Sequence, residues 1–171
     1  LYSAPPIRLK RNGWLGNSAC ALSYEGIAWF TGAAVMTAGG WPSSQTIALA
    51  ALYSVGAHGI MTLNDFKSIE GDRRTGIGSL PAQYGASNAA VLACIFMALP
   101  QVIVIALLMS WQRPDHALIV AGLLFLQILL MRYFLANPVN RAVVFSALGV
   151  SLYVAGMLTS AFAISTLTGA P

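Results

Sequence analysis

Apolar residues in this chain come in long runs rather than in alternation with polar ones. Five such runs, at 18–38, 46–63, 89–109, 117–134 and 142–164, are separated by clusters of residues that break helices or favour turns. A stretch of roughly 20 residues that is apolar on every face predicts a helix crossing the hydrocarbon core of a bilayer. The strands of a membrane barrel would instead alternate apolar and polar positions, so a barrel is excluded. The pattern predicts an all-α fold, a polytopic transmembrane helical bundle of about five spans. Gly-Gly-Trp-Pro-Ser-Ser at 39–44, a long polar stretch at 64–88, Trp-Gln-Arg-Pro-Asp at 111–115 and Asn-Pro-Val-Asn at 137–140 form the connections. Pro100, inside the third span, is expected to kink it. There is no repeat at a solenoid period and no low-complexity tail.

Composition agrees with the pattern. Of 171 residues, 57% are hydrophobic and 8% charged, and the mean hydropathy is +0.72, well outside the range of soluble domains. The net charge of +4 is too thinly spread to form a basic face, so nucleic acid is not an expected partner. Lys and Arg are sorted by side. Arg8, Lys10 and Arg11 precede the first span, Lys67, Arg73 and Arg74 lie in the long connection, and Arg132 and Arg141 flank the last one; Arg113 alone falls opposite. The positive-inside rule then puts the first segment and the long connection in the cytoplasm and the C-terminus outside, in a bacterium the periplasm. Cys20 and Cys94 lie inside apolar runs and read as packing residues rather than a disulfide. Trp41, Trp111 and Tyr133, near span ends, read as interfacial anchors. The chain opens on Leu1 with nothing resembling a signal peptide, and is expected to be a piece of a longer protein.

Three of the five acidic residues, Asp65, Glu70 and Asp72, fall within Asn-Asp-Phe-Lys-Ser-Ile-Glu-Gly-Asp-Arg-Arg at 64–74. If the second span ran on as a helix, Asp65 and Asp72 would share a face about 10 Å apart with Ser68 between them, and Glu70 would point elsewhere. Carboxylates this close at a low-dielectric boundary call for cations. Mg²⁺ fits, because it takes oxygen ligands and bridges one or two carboxylates to phosphates, with Lys67, Arg73 and Arg74 on the phosphate oxygens. A salt-bridged loop resting on anionic lipid headgroups fits the same residues equally well. The segment from Tyr2 to Arg11 carries Pro5 and Pro6, which predict an extended arm projecting Arg8 and Lys10 in one direction. Such an arm suits a diphosphate, or a membrane surface.

Taken together, Tyr-Ser-Ala-Pro-Pro-Ile-Arg-Leu-Lys at 2–10, continuing to Gly16, and Asn-Asp-Phe-Lys-Ser-Ile-Glu-Gly-Asp at 64–72 resemble signatures of the chlorophyll synthases, a branch of the UbiA-type membrane prenyltransferases. Tyr-Glu-Gly-Ile-Ala-Trp at 24–29 and Gly-Ala-His-Gly-Ile-Met at 56–61 are similar to the bacteriochlorophyll synthases within that branch. The resemblance covers essentially the whole chain. It implies a nine-helix family fold of which these are the last five, Mg²⁺ as cofactor, and prenyl transfer from geranylgeranyl or phytyl diphosphate to the propionate carboxylate of bacteriochlorophyllide. The family's first Asn/Asp-rich motif has no counterpart in these residues, so the chain taken alone is expected to be inactive. Residue by residue, Asn64, Asp65 and Asp72 inherit the catalytic Mg²⁺–diphosphate role, with Glu70 a further metal ligand. Tyr2, Arg8, Lys10, Lys67 and Arg73 inherit diphosphate contact. The wider superfamily's Asp-x-x-x-Asp core is absent, positions 68 and 69 being Ser and Ile.

Two buried ionisable groups face the acceptor side of that reading. His58 lies two helical turns deeper than Asp65 on one face, and either ligates or orients the pigment or bonds to a neighbouring helix. Glu25 either stays protonated and bonds a ring carbonyl or pairs with another helix. Other classes fit part of the pattern: a non-catalytic pigment-binding subunit of a photosynthetic complex, or a prenyltransferase with a quinone or haem acceptor. Partners beyond substrates and bilayer would be other pigment-synthesis or photosynthetic membrane proteins.

Overall fold

The computed structural model describes residues 2–37 and 39–165. Among them it is a bundle of helices with no strand. Four helices are long and apolar enough to cross a membrane: α3 (Ser44–Asp65), α6 (Ala86–Ser110), α7 (Pro114–Ala136) and α8 (Pro138–Ser165). Each contains one of the runs predicted from the sequence. The remaining run is built differently. α1 (Gly13–Ala21), a π-helical segment (Leu22–Ile27) and α2 (Ala28–Met36) follow one another without a break. Ala38, expected to end that span, lies outside the described residues. The long connection is not a loop either, since it folds into two short helices, α4 (Ile69–Thr75) and α5 (Leu80–Tyr84).

α3 is the central strut, packed on α1, the π segment and α2 on one side and on α6 and α8 on the others. Small residues allow this close approach, as is usual between helices in lipid. Gly56 lies directly against the ring of Tyr153 from α8, and a Cβ on Gly59 would come within 2.6 Å of the Ala93 carbonyl of α6. Hydrogen bonds then lock the register. The Tyr153 hydroxyl donates to the Tyr53 carbonyl at 2.9 Å, and the Tyr53 and Ser160 hydroxyls meet at 2.7 Å. Gln101 of α6 donates to Gln127 of α7 at 2.6 Å, and Gln127 to the Gly149 carbonyl of α8 at 2.8 Å. With no water in the bilayer core, each such buried amide needs a protein partner. α6 runs through Pro100 without ending. Cys94 is buried, Cys20 partly so, and both are free. Trp41 is exposed, whereas Trp111 packs against the core.

One sequence-based expectation is corrected here, and one conditional reading is decided. The segment after Pro5 and Pro6 is not an extended arm: Arg8 N donates to Ala4 O and Lys10 N to Tyr2 O, both at 3.0 Å, and Leu9–Arg11 form a 3₁₀ turn. Arg8, in the left-handed region at φ 44°, turns the chain, so Arg8 and Lys10 do not project together. The second span also stops at Asp65. Phe66 is drawn into the core against Phe134, and the Ser68 hydroxyl donates to the freed Asp65 carbonyl at 3.2 Å. α4 then starts on a new axis and ends at Gly76, whose φ of 69° is the left-handed closure that glycine adopts without strain.

Candidate functional site

The turns at one end of the bundle are clamped together by backbone. Asn12 caps α1, its Oδ1 accepting from Leu15 N at 3.1 Å. Next to the cap, Gly13 N donates to Gly78 O at 2.6 Å and Gly78 N donates back to Arg11 O at 2.9 Å. A Cβ at Gly13 would meet Gly78 O, Leu80 N and Ser79 Cα, all backbone, at 2.6–3.0 Å. Gly16 lets the 3₁₀ turn settle on α1, with Lys10 Cα 3.2 Å from where a Cβ would stand. These contacts bring segments distant in sequence around one cavity of about 150 Å³, lined among others by Tyr2, Lys10, Asn17, Asp65, Asp72 and Ser79.

Two carboxylates and one ammonium face this space. Asn17, buried in α1, donates its amide to Asp65 Oδ2 at 3.1 Å and to Thr62 Oγ1 at 3.3 Å, which holds Asp65 at the lip of α3. Asp72 Oδ2 accepts from Ser79 at 2.6 Å and from Ser68 at 3.0 Å. Among the described bonds both carboxylates use Oδ2, so each Oδ1 is available to something in the cavity. The Tyr2 phenol is pushed up to about 12, mostly by burial and then by Cys20 beside it, so at neutral pH it remains a hydroxyl donor. Among the described residues no three His, Cys, Asp or Glu cluster as a metal cage. The donors present suit Mg²⁺ nonetheless, because that ion is commonly held by one or two carboxylates and completed by water and phosphate oxygens.

A scan of family models places residues 1–148 in the UbiA prenyltransferase family. The chain belongs to that family. It is 52% identical, over 99% of its length, to a protein of Cereibacter sphaeroides named bacteriochlorophyll synthase 33 kDa chain, and covers 56% of that relative. It is 46% identical over 96% of its length to the bacteriochlorophyll synthase 34 kDa chain of Chloroflexus aurantiacus, covering 52% of it. It is 40% identical over 96% to the chloroplastic chlorophyll synthase of Avena sativa, covering 43%. The chain thus spans about half the length of the relatives it matches. No solved structure matches it. As a UbiA family member with four such apolar helices, it is a multi-pass membrane protein.

The UbiA member's structure separates the residues singled out in the sequence. Tyr2, Lys10, Asp65 and Asp72 share the cavity. Asn64 and Lys67 do not. They line a different cavity of about 160 Å³ against Val139, Ala142 and Val143 of α8. Arg8 and Arg73 are exposed and away from the cavity lining. Glu70 is exposed as well, 3.7 Å from Arg74. An exposed pair of this kind contributes less than about 1 kcal/mol. Glu70→Gln is therefore expected to leave thermal stability in detergent within that margin, and a larger loss would show a buried role for the carboxylate.

Sequence reasoning missed Asn17 and Ser79. Asn17 is a polar residue immediately before an apolar run, which is a weak signal; Ser79 is one of many loop serines and offers none. Glu25 is half-buried on the π segment, at the edge of a larger cavity of about 650 Å³ between α2 and α8 that includes Tyr24, Trp29 and Met157. His58 lines yet another space, and shares no wall with the Asp65 cavity.

Proposed function

We propose that this chain carries the diphosphate-holding part of an enzyme that moves a prenyl group from geranylgeranyl or phytyl diphosphate to the propionate carboxylate of bacteriochlorophyllide. The observation that carries the reading is the convergence of Asp65, Asp72, Lys10 and Tyr2 on one cavity at the end of the bundle. The similarity to proteins named bacteriochlorophyll synthase, at 46–52% identity, supports the choice of acceptor.

The roles follow from the geometry. Asp65 and Asp72 hold Mg²⁺, which when bound draws charge onto the leaving diphosphate. Lys10 and Tyr2 donate to the phosphate oxygens as negative charge builds there. Asn17, Ser68 and Ser79 fix the two carboxylates so that no reorganisation is needed when the allylic C–O bond breaks. The acceptor carboxylate is already a nucleophile at neutral pH and needs no general base. The cavity between α2 and α8, around Trp29 and Met157 with Glu25 at its edge, is separate from the carboxylates and apolar enough to take a hydrophobic part of a substrate. Asn64 and Lys67, on a separate cavity against α8, and the exposed Arg8, Arg73 and Glu70 lie outside the cavity that holds the carboxylates. The Lys and Arg distribution supports a site on the cytoplasmic face, and the similarity to bacteriochlorophyll synthases supports the bacterial inner, intracytoplasmic membrane of a photosynthetic cell as its setting.

The test is an ester-formation assay on membranes containing the complete protein, at the full length of its relatives, with bacteriochlorophyllide, geranylgeranyl diphosphate and Mg²⁺. Formation of the prenyl ester, lost on chelation and restored by Mg²⁺, is the expected result; no ester from any prenyl diphosphate would overturn it. Tyr2→Phe in the same assay is expected to raise KM for the diphosphate about 10- to 100-fold, the value of one lost charge-assisted hydrogen bond. An unchanged KM would remove Tyr2 from the site.

A further inference from the structure

His58 is a polar group with an unfinished hydrogen-bond account. Its side chain is buried to 4% exposure on α3, yet its Nε2 has no partner among the described residues. Imidazole in this position is walled by rings. Trp14 stacks on it with centroids 5.4 Å apart at 26°, and Phe96 of α6 lies 4.7 Å away. Trp14 is itself fixed, its Nε1 donating to the Tyr84 hydroxyl at 3.1 Å. The rings and His58 line a niche of about 260 Å³ whose rim residues Leu22 and Val55 are exposed on the apolar outside of the bundle. It shares no lining residue with the Asp65 cavity.

The other ring nitrogen determines what Nε2 can do. His58 Nδ1 and the Ser18 hydroxyl are 3.2 Å apart. Among the described bonds Ser18 has no other acceptor for its own proton, so the arrangement that satisfies the hydroxyl has Ser18 donating to Nδ1. Imidazole that is neutral and accepts at Nδ1 carries its proton on Nε2. Nε2 then carries a hydrogen and has no lone pair for a metal.

We infer that Trp14, His58 and Phe96 form a lateral niche for a flat conjugated ring, in which His58 Nε2 donates to a ring carbonyl rather than binding a ring metal. Stacking on Trp14 and Phe96 supplies the apolar part of recognition, and the single donor sets the orientation of the ring. The inference rests on the proposed function only for the choice of ring, which is a carbonyl-bearing chlorin acceptor. Of the roles expected of His58 it takes orientation of the pigment over ligation of its Mg²⁺, since a protonated Nε2 cannot ligate.

The test measures binding alone, without prenyl donor or Mg²⁺, so that failure of prenyl transfer would not affect it. The protein in nanodiscs is titrated with bacteriochlorophyllide and with its magnesium-free counterpart, and the conjugated carbonyl stretches are read by resonance Raman. Both probes are expected to bind with similar affinity and to show a carbonyl band shifted to lower frequency. His58→Gln, which retains an amide donor, keeps the shift, and His58→Phe loses it together with about 5- to 10-fold in affinity. Ser18→Ala leaves the imidazole in place but frees its tautomer, and weakens the shift. Binding that requires the ring metal, a band that does not move in the unsubstituted protein, or a shift that persists in His58→Phe would each overturn the inference.

Discussion

Asp65→Asn and Asp72→Asn are each expected to lower prenyl ester formation on the order of 10²- to 10³-fold, the range seen when one preorganised electrostatic contact to a developing charge is removed. The substitution keeps the size of the side chain and its capacity to accept from Asn17, or from Ser68 and Ser79, so folding is expected to survive. What is lost is a unit of negative charge facing Lys10 across the cavity, and with it the attraction that holds a divalent ion against a diphosphate. Raising Mg²⁺ should recover part of the activity of each single variant and little of the double variant. Turnover of either single variant within about threefold of the unsubstituted protein would remove that carboxylate from the chemistry, since threefold is less than 1 kcal/mol of transition-state energy.

Gly13→Ala is the second large effect. The added methyl has nowhere to go, because the atoms it meets are backbone of residues 78–80 rather than the ends of flexible side chains. Overpacking of this kind costs about 1–3 kcal/mol. It also pushes Ser79 off Asp72 and separates the turn after α4 from α1, so the cavity wall opens. The expected result is a fall in turnover of about 10- to 100-fold, as for other partners that orient a ligand, accompanied by a lower melting temperature in detergent. Gly71→Ala is the control. Nothing lies within 4 Å of a Cβ there, and Ala in place of Gly inside α4 is expected to stabilise by about 0.5–1 kcal/mol. If both glycines tolerate alanine equally, the backbone clamp at Gly13 has no part in shaping the site.

The difference between Gly13 and Gly71 also shows what could be read from the sequence. Hydropathy runs located α3, α6, α7 and α8 because a lipid-spanning helix is recorded residue by residue in composition. The pairing of the Tyr2–Lys10 segment with Asp65 and Asp72 was legible through charge placed on one side of the bilayer. How that pairing is made was not, because it depends on two glycine backbones, at 13 and 78, whose role is a lack of atoms. Asn64, about 100° round α3 from Asp65, and Lys67, just past the helix end where Phe66 turns the chain into the core, sit in the same short motif as Asp65 and yet face α8. A motif lists residues in order along the chain; where each one points depends on where the helix stops.

The π segment has a consequence of its own. A wider turn amounts to one additional residue in an α-helical ladder, and one residue is about 100° of rotation in such a ladder. The bearing of Trp29 and Ala33 toward α8 is therefore set by a phase offset upstream of them, between Leu22 and Ile27. Excising Gly26 would let the segment close to ordinary α turns, with Trp29 and Ala33 keeping their bearing while the wide turn disappears. At this place in the chain a one-residue gap between related proteins is best read as loss of the wide turn with the angle beyond it kept.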